Sequence, residues 1–144
     1  MIVRNCSGGI VFYANQVLLL QNEKNEWVLP KGKIRNEDSP QDTSLERVKA
    51  EAGIDAEVLS SAGGSSYEFY SVTRKKPVCN EITWYIMKAN NKECKVNYDL
   101  GFKDGGFYPM DEALEMITYS QDKSLVNLSY KKYKEMMKNK VNAV

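Results

Sequence analysis

The chain has 144 residues, of which 42% are hydrophobic, a formal net charge of +1 and no histidine. This length predicts one domain over residues 1–144 that buries its own core, and the near-neutral charge argues against a partner that is long nucleic acid or an anionic membrane. Without histidine, the usual general base, the usual zinc ligand and every serine–histidine or cysteine–histidine arrangement are excluded, so catalysis would have to use carboxylates, lysines, tyrosines or a hard metal held by oxygen.

The three cysteines, Cys6, Cys79 and Cys94, are odd in number and widely spaced. They form neither a disulfide framework nor a Cys-x-x-Cys metal site, which predicts reduced thiols and a cytoplasmic protein. The first residues, "MIVRNCSGGIVFYANQ", contain an apolar stretch too short and too interrupted for a signal peptide or a membrane span.

Short β-branched or aromatic segments bounded by Gly, Asn or Pro dominate both sides of one helical segment. They predict strands at 9–13, 17–20, 27–29, 67–73 and 82–88. We also expect a hairpin around residues 14–16 and a longer loop, 73–81, that joins two antiparallel strands.

The helix is predicted from Ser39 to Ala52. The Ser39 hydroxyl can cap the amide of Asp42, and Pro40 suits the first helical position. Gly53 supplies the left-handed residue that ends the helix.

The two sides of this helix differ in chemistry. Leu45, Val48 and Ala52 fall on one side at about 100° per residue and are predicted to face a core. Positions 47, 50 and 51 share the polar side, which we expect to line a groove near Gly32. Any chemistry of the helix must take place on that polar side.

The last third of the chain predicts a strand in 106–110, a short helix at 111–117 and a helix from 122 to about 140. In the last helix, apolar side chains recur at helical spacing and predict a face that docks on the core rather than on a partner or a membrane: Leu125, Leu128, Tyr133 and Met136. The order of strands, helix, strands and helices predicts an α/β fold in which helices flank a mixed sheet.

The segment "WVLPKGKIRNEDSPQDTSLERVKAEAGI", residues 27–54, resembles the box of the Nudix (MutT-like) hydrolases, G-x5-E-x7-R-E-U-x-E-E-x-G-U, in which U is aliphatic. The match needs no gap, and the lead-in and preceding hairpin extend the resemblance over about the first 60 residues. The matching positions are Gly32, Asp38, Val48, Glu51, Gly53 and Ile54. The resemblance implies a Nudix-type α/β/α sandwich around a mixed β-sheet.

The same resemblance implies a pyrophosphohydrolase that cleaves a phosphoanhydride in a nucleoside-diphosphate-linked substrate with Mg²⁺ or Mn²⁺. Acids on one helical face can supply oxygen ligands to such an ion, which bridges phosphates and prepares a water nucleophile. In the family, the carbonyl at the position of Gly32 helps to hold the metal.

Asp38 keeps an acid in a glutamate position of the box, but this chain departs from the chemistry of the box at three other positions. Glu46 stands in the arginine position, whereas Arg47 and Ala50 replace two metal-binding acids and leave Glu51. Arg47 lies four residues before Glu51, so the two can pair. A positive charge about 4 Å away would oppose a divalent ion by roughly 8 kcal/mol at an effective dielectric of about 20.

Glu46 lies close to the side of position 50 on the helix, so its carboxylate could fill the place that Ala50 leaves, or could pair with Lys49 or solvent. For a hydrolase, the expected catalytic residues are Glu51 and Glu46. The expected metal ligands are these two carboxylates and the carbonyl of Gly32, which Asp38 could assist.

Three hypotheses for function follow. The first is a Nudix hydrolase. The second is a Nudix-fold module that binds a nucleotide or another phosphorylated small molecule through Lys31, Lys33 and Arg47 without hydrolysing it, because these cations suit an anion. The third is a protein-interaction scaffold that uses the last helix. A monomer or a homodimer is expected in each case.

Two further groups are candidates whose common interpretation is structural. Aromatic residues on the two middle strands are typical of a core but could stack on a base: Phe69, Tyr70, Trp84 and Tyr85. Acids in later segments are typical of a solvated surface but could supply an extra ligand or base: Glu81, Glu93, Asp99 and Asp104.

Overall fold

The computed structural model describes residues 1–142. The strands are β1 (Ile2–Tyr13), β2 (Gln16–Gln21), β3 (Trp27–Val28), β4 (Lys31–Lys33), β5 (Ala56–Ser71), β6 (Lys76–Ala89) and β7 (Asp104–Pro109). The α-helices are α1 (Pro40–Ala52), α2 (Met110–Met116) and α3 (Ser120–Asn142), and a short 3-10 helix spans Tyr98–Leu100. Within residues 1–142, no helix combines the length and the apolar character that crossing a membrane requires.

The strands form one mixed sheet in the order β3-β2-β1-β6-β5, and β4 and β7 pair with β1 and β2 respectively. The central pair, β1 and β6, runs parallel, while β2, β4 and β5 pair antiparallel with their neighbours. A parallel pair needs a crossover connection, which α1 and β5 provide between the two central strands.

Helices cover both faces of this sheet because successive residues of its strands point to opposite sides. Val11 of β1 belongs to a buried cluster with Val48 of α1. Phe12, the next residue, belongs to a second cluster with Val126 and Tyr133 of α3. The Phe12 and Tyr133 rings stack at a centroid distance of 4.8 Å. This arrangement confirms the predicted α/β/α sandwich.

The ends of α1 agree with the predicted caps. Ser39 Oγ accepts a 3.0 Å hydrogen bond from the Asp42 amide, and Gly53 adopts the left-handed conformation with φ of 67°. Val48 and Ala52 are fully buried, and Leu45 packs against the same cluster. Local sequence therefore determined the ends and the inner face of this helix.

The predictions for the strands need several corrections. The expected loop at 73–81 is wrong: a turn over residues 72–75 joins β5 to β6, which begins at Lys76. β5 begins at Ala56, far before the predicted start at residue 67, and β1 extends back to Ile2. The added residues of β1 and β5 are strand because they pair along the whole length of β6. No local sequence pattern indicates this pairing between distant segments.

The predicted inner face of α3 is also partly wrong. Leu128 is 66% exposed, whereas Val126, Ser129 and Tyr133 are buried. Leu125 and Met136 are only partly buried. Spacings of three and four residues place residues 126, 129 and 133 on one face of the helix. A pattern of large apolar residues does not include Ser129, so it did not identify this face as the buried one.

Candidate functional site

A cavity of about 520 Å³ opens between the sheet and the start of α3. Trp84 forms part of its apolar wall and is 1% exposed, while Tyr67 and Tyr119 are 40% and 36% exposed along the same cavity. Lys31 and Glu51 also line it. The cavity therefore joins an aromatic region to a pair of opposite charges.

Glu51 occupies the last turn of α1 and is 2% exposed. The Nε and Nη2 atoms of Arg47 both lie 2.9 Å from its Oε2 atom, which is the ion pair predicted from their spacing. Burial raises the pKa of Glu51 to about 7, although Arg47 and Lys31 oppose that rise, Lys31 partly through a backbone hydrogen bond. A carboxyl group of this kind changes its charge near neutral pH.

The carbonyl end of α1 is fixed by a segment that follows β6. Asn97 donates its backbone amide to the Glu51 carbonyl at 3.0 Å and its side-chain amide to the Ala50 carbonyl at 2.9 Å. These bonds satisfy carbonyls that the helix itself cannot pair. They hold the backbone that carries the Glu51 carboxylate.

Gly32 lies directly under the side chain of Arg47. A Cβ atom at Gly32 would lie 2.6 Å from Arg47 Cδ and 2.7 Å from Nε, so only glycine leaves this space. Pairing of β4 with β1, in which Gly32 lies opposite Ser7, fixes the Gly32 backbone. The β4 strand and α1 thus hold the guanidinium between them.

The structure brings together Lys31, Gly32, Arg47 and Glu51 among the candidates from the sequence. Of these four, Lys31 and Glu51 line the cavity, whereas Gly32 and Arg47 are not part of its lining. Lys33 and Glu46 are exposed and also lie outside the lining. Of the other motif positions, Asp38 is exposed at a separate open cleft that Glu81 also lines, whereas Val48 and Ile54 are in the core. Glu93, Asp99 and Asp104 do not line the cavity, nor do Phe69, Tyr70 and Tyr85.

Sequence reasoning missed a polar group at the cavity that includes Glu26 and Tyr119. The Tyr119 hydroxyl donates to the Glu26 carboxylate, as does the Asn22 side-chain amide at 3.0 Å, and both bonds lower the pKa of Glu26. The Tyr119 ring also lies edge-on to Tyr67, with centroids 6.0 Å apart. Glu26 and Tyr119 are 93 residues apart, so no local pattern could have joined them.

Asp122, in the first turn of α3, is a second missed acid of the cavity. Burial raises the pKa of its carboxyl group, and Lys31 opposes that rise. An acidic residue in a first helical turn has a sufficient explanation in the helix dipole, so the sequence offered no separate signal for it.

The residues at the box do not fit a magnesium or manganese ion. Such ions require several oxygen ligands in near-octahedral geometry. Here Arg47 engages the retained carboxylate, Ala50 has no oxygen in its side chain, and Glu46 faces solvent. Across residues 1–142, no three acidic or cysteine side chains come close enough together to hold a metal ion.

Known proteins share this architecture. The NUDIX domain family model matches residues 4–128. The binary complex of the Caenorhabditis elegans Ap4A hydrolase superposes with a TM-score of 0.71 at 16% identity, over 90% of this chain and 96% of that chain. A MutT protein from Bacillus halodurans gives 0.64 at 26% identity, over 86% and 80%. An ADP-ribose pyrophosphatase from Streptococcus suis gives 0.58 at 20% identity, over 75% of each chain.

Proposed function

We propose, from the premise that this chain belongs to the Nudix family, that it hydrolyses a phosphoanhydride bond in a nucleoside-diphosphate-linked compound bound in the cavity. The names of two structural relatives, an Ap4A hydrolase and an ADP-ribose pyrophosphatase, support this class of substrate. Tyr67 and Tyr119 offer partly exposed rings on which a base can stack.

The observation that carries the proposal is the Glu51 carboxylate, which lines the cavity beside Lys31 and has its pKa raised to about 7. A general base works best when its pKa lies near the working pH. The adjacent cations, Lys31 and Arg47, can stabilise the negative charge that develops on phosphate oxygens.

In the proposed reaction, the oxygen of a water molecule forms a bond to phosphorus and Glu51 takes the proton of that water. The bond from phosphorus to the bridging oxygen breaks, and its electron pair leaves with the second phosphate. Lys31 and Arg47 hold oxygens of the two phosphates during this step. No step uses Mg²⁺ or Mn²⁺, because the donors at the box do not fit these ions.

A second function, binding without hydrolysis, is favoured by the Arg47–Glu51 ion pair. Both contacting nitrogens of Arg47 lie on the same Glu51 oxygen. A carboxylate held in this way is a weaker base while the pair persists. The same cavity and cations would then retain the ligand without turnover.

Turnover and binding of ADP-ribose and Ap4A by the wild type and by Glu51→Gln separate the two functions. For hydrolysis, we expect the wild-type rate to rise through about pH 7 as Glu51 ionises, and the variant to bind while losing about 100-fold or more in rate. Glu57→Gln, an exposed acid of β5, is the control. If the wild type binds these compounds without turning them over, the second function is favoured. If it neither binds nor hydrolyses them, the proposed substrate class is refuted.

A further inference from the structure

We infer that the Arg47 guanidinium supplies the positive charge that a metal ion would otherwise provide here, so that a phosphate ligand binds beside Arg47 and Lys31, at the Glu51 end of the cavity, without a divalent ion. The class of ligand in this inference rests on the proposed function. The statement that no divalent ion is bound at Glu51 does not. It applies equally to a protein that hydrolyses the ligand and to one that only binds it.

The first support is the number of donors that remain on Arg47. A guanidinium has five N–H donors in a rigid plane, and its shape matches that of a phosphate. The contacts to Glu51 come from Nε and Nη2, both at 2.9 Å, so Nη1 makes neither of them. The side chain is 24% exposed. It does not itself line the cavity, but its partner Glu51 does.

The second support is that the guanidinium is held in place. Glu51 fixes its inner edge, and the stem crosses Gly32 so closely that a Cβ there would lie 2.6 Å from Cδ. An arginine fixed in this way loses less conformational freedom when it binds an anion than a free surface arginine does.

The third support is the charge at this end of the cavity. Immediately beside Glu51, two cations, Lys31 and Arg47, face one carboxylate. Three other carboxyls, Glu23, Glu26 and Asp122, line the cavity. The hydrogen bond from Tyr119 and, to a smaller extent, the charge of Lys31 lower the pKa of Glu26, whereas burial raises the pKa of Asp122 and Lys31 opposes that rise. A box with three acids would need a bound cation before it could accept a phosphate. In this chain, the Arg47 guanidinium supplies that positive charge.

The test measures binding of ADP by calorimetry in EDTA and in excess Mg²⁺. We expect ADP to bind in EDTA with an affinity at least equal to that in Mg²⁺. Arg47→Glu should weaken binding in EDTA at least tenfold. Lys49→Glu, which makes the same charge change on the exposed side of α1, should stay within twofold of the wild type.

A second titration uses Mg²⁺ alone. We expect that the wild type does not bind Mg²⁺ at Glu51, so that Glu51→Gln leaves its Mg²⁺ titration unchanged. The double variant Arg47→Glu with Ala50→Glu should bind Mg²⁺ at least tenfold more tightly than the wild type does. ADP binding by the wild type that requires Mg²⁺ would overturn the inference and leave the proposed function intact. If ADP binds under neither condition, the proposed ligand class fails. The Mg²⁺ titration then decides the inference: Mg²⁺ binding at Glu51 in the wild type, or no gain in the double variant, overturns it.

Discussion

The contact between Gly32 and Arg47 shows how a single missing Cβ organises the site. The stem of Arg47 occupies the space that any other side chain at position 32 would need. The contact also decides where the guanidinium lies, since Glu51 fixes its other side. One glycine is thus a condition for the position of the charge.

Gly32→Ala should therefore destabilise the protein by about 1–3 kcal/mol, the usual cost of overpacking, and should displace Arg47 from Glu51. In an Arg47→Ala background the obstructing atoms are gone, so most of that cost should vanish in a double-mutant cycle measured by urea unfolding. Gly106→Ala is the matched control, because the nearest atom to its added Cβ lies 3.9 Å away. An equal cost in both backgrounds would show that Arg47 does not constrain position 32.

Single residues were predictable where their partners lie nearby in the chain. The Arg47–Glu51 pair follows from a spacing of four on a helix, and the structure contains it. The bond between Tyr119 and Glu26 spans 93 residues and depends on how α3 meets the loop before β3. No propensity or spacing rule encodes that meeting.

Among the elements, α1 and α3 show what local patterns can decide. The ends of α1 depend on Ser39 and Gly53, which act within their own turn, so they were predictable. The inner face of α3 depends on which stripe the sheet accepts, and that stripe contains Ser129 but not Leu128. A prediction from hydrophobicity alone therefore placed one exposed residue, Leu128, on the buried face of a correctly predicted helix.

Alanine substitution of Val126 and of Leu128 distinguishes the two faces of α3. Val126→Ala should cost about 2 kcal/mol, from two lost methyl groups and a small cavity in a site with no solvent exposure. Leu128→Ala should change stability by less than about 0.5 kcal/mol, since that side chain is 66% exposed. Urea unfolding of both variants measures the difference, and a reversed order would mean that α3 packs through the other face.

At the scale of the whole molecule, the cavity exists because distant segments meet beside one end of α1. The loop before β3 supplies Glu26, β4 supplies Lys31, β5 supplies Tyr67, and the start of α3 supplies Asp122. A 2.8 Å hydrogen bond from the Trp27 amide to Thr118 Oγ1 joins the start of β3, directly after this loop, to the segment before α3. Element order indicated the sheet and its covering helices, but not these contacts.

Tyr119→Phe removes one of the two hydrogen bonds that the Glu26 carboxylate accepts from side chains. Because that bond is the main cause of the lowered pKa, the Glu26 pKa should rise toward its ordinary value. Side-chain NMR titration of Glu26 measures the change. Tyr98→Phe, at a tyrosine that is 72% exposed, should leave the Glu26 titration unaltered. An unchanged midpoint in Tyr119→Phe would exclude this bond in solution.

The cavity wall formed by Tyr119 to Asp122 also determines when the cavity can be completed during protein synthesis. Translation proceeds from the N-terminus, and Tyr119 to Asp122 close the cavity after every other wall residue has been made. A nascent chain on the ribosome therefore has no complete site until those residues have left the exit tunnel. A small molecule that binds this cavity cannot assist the early folding of the sheet. It can only stabilise chains that have already placed α3.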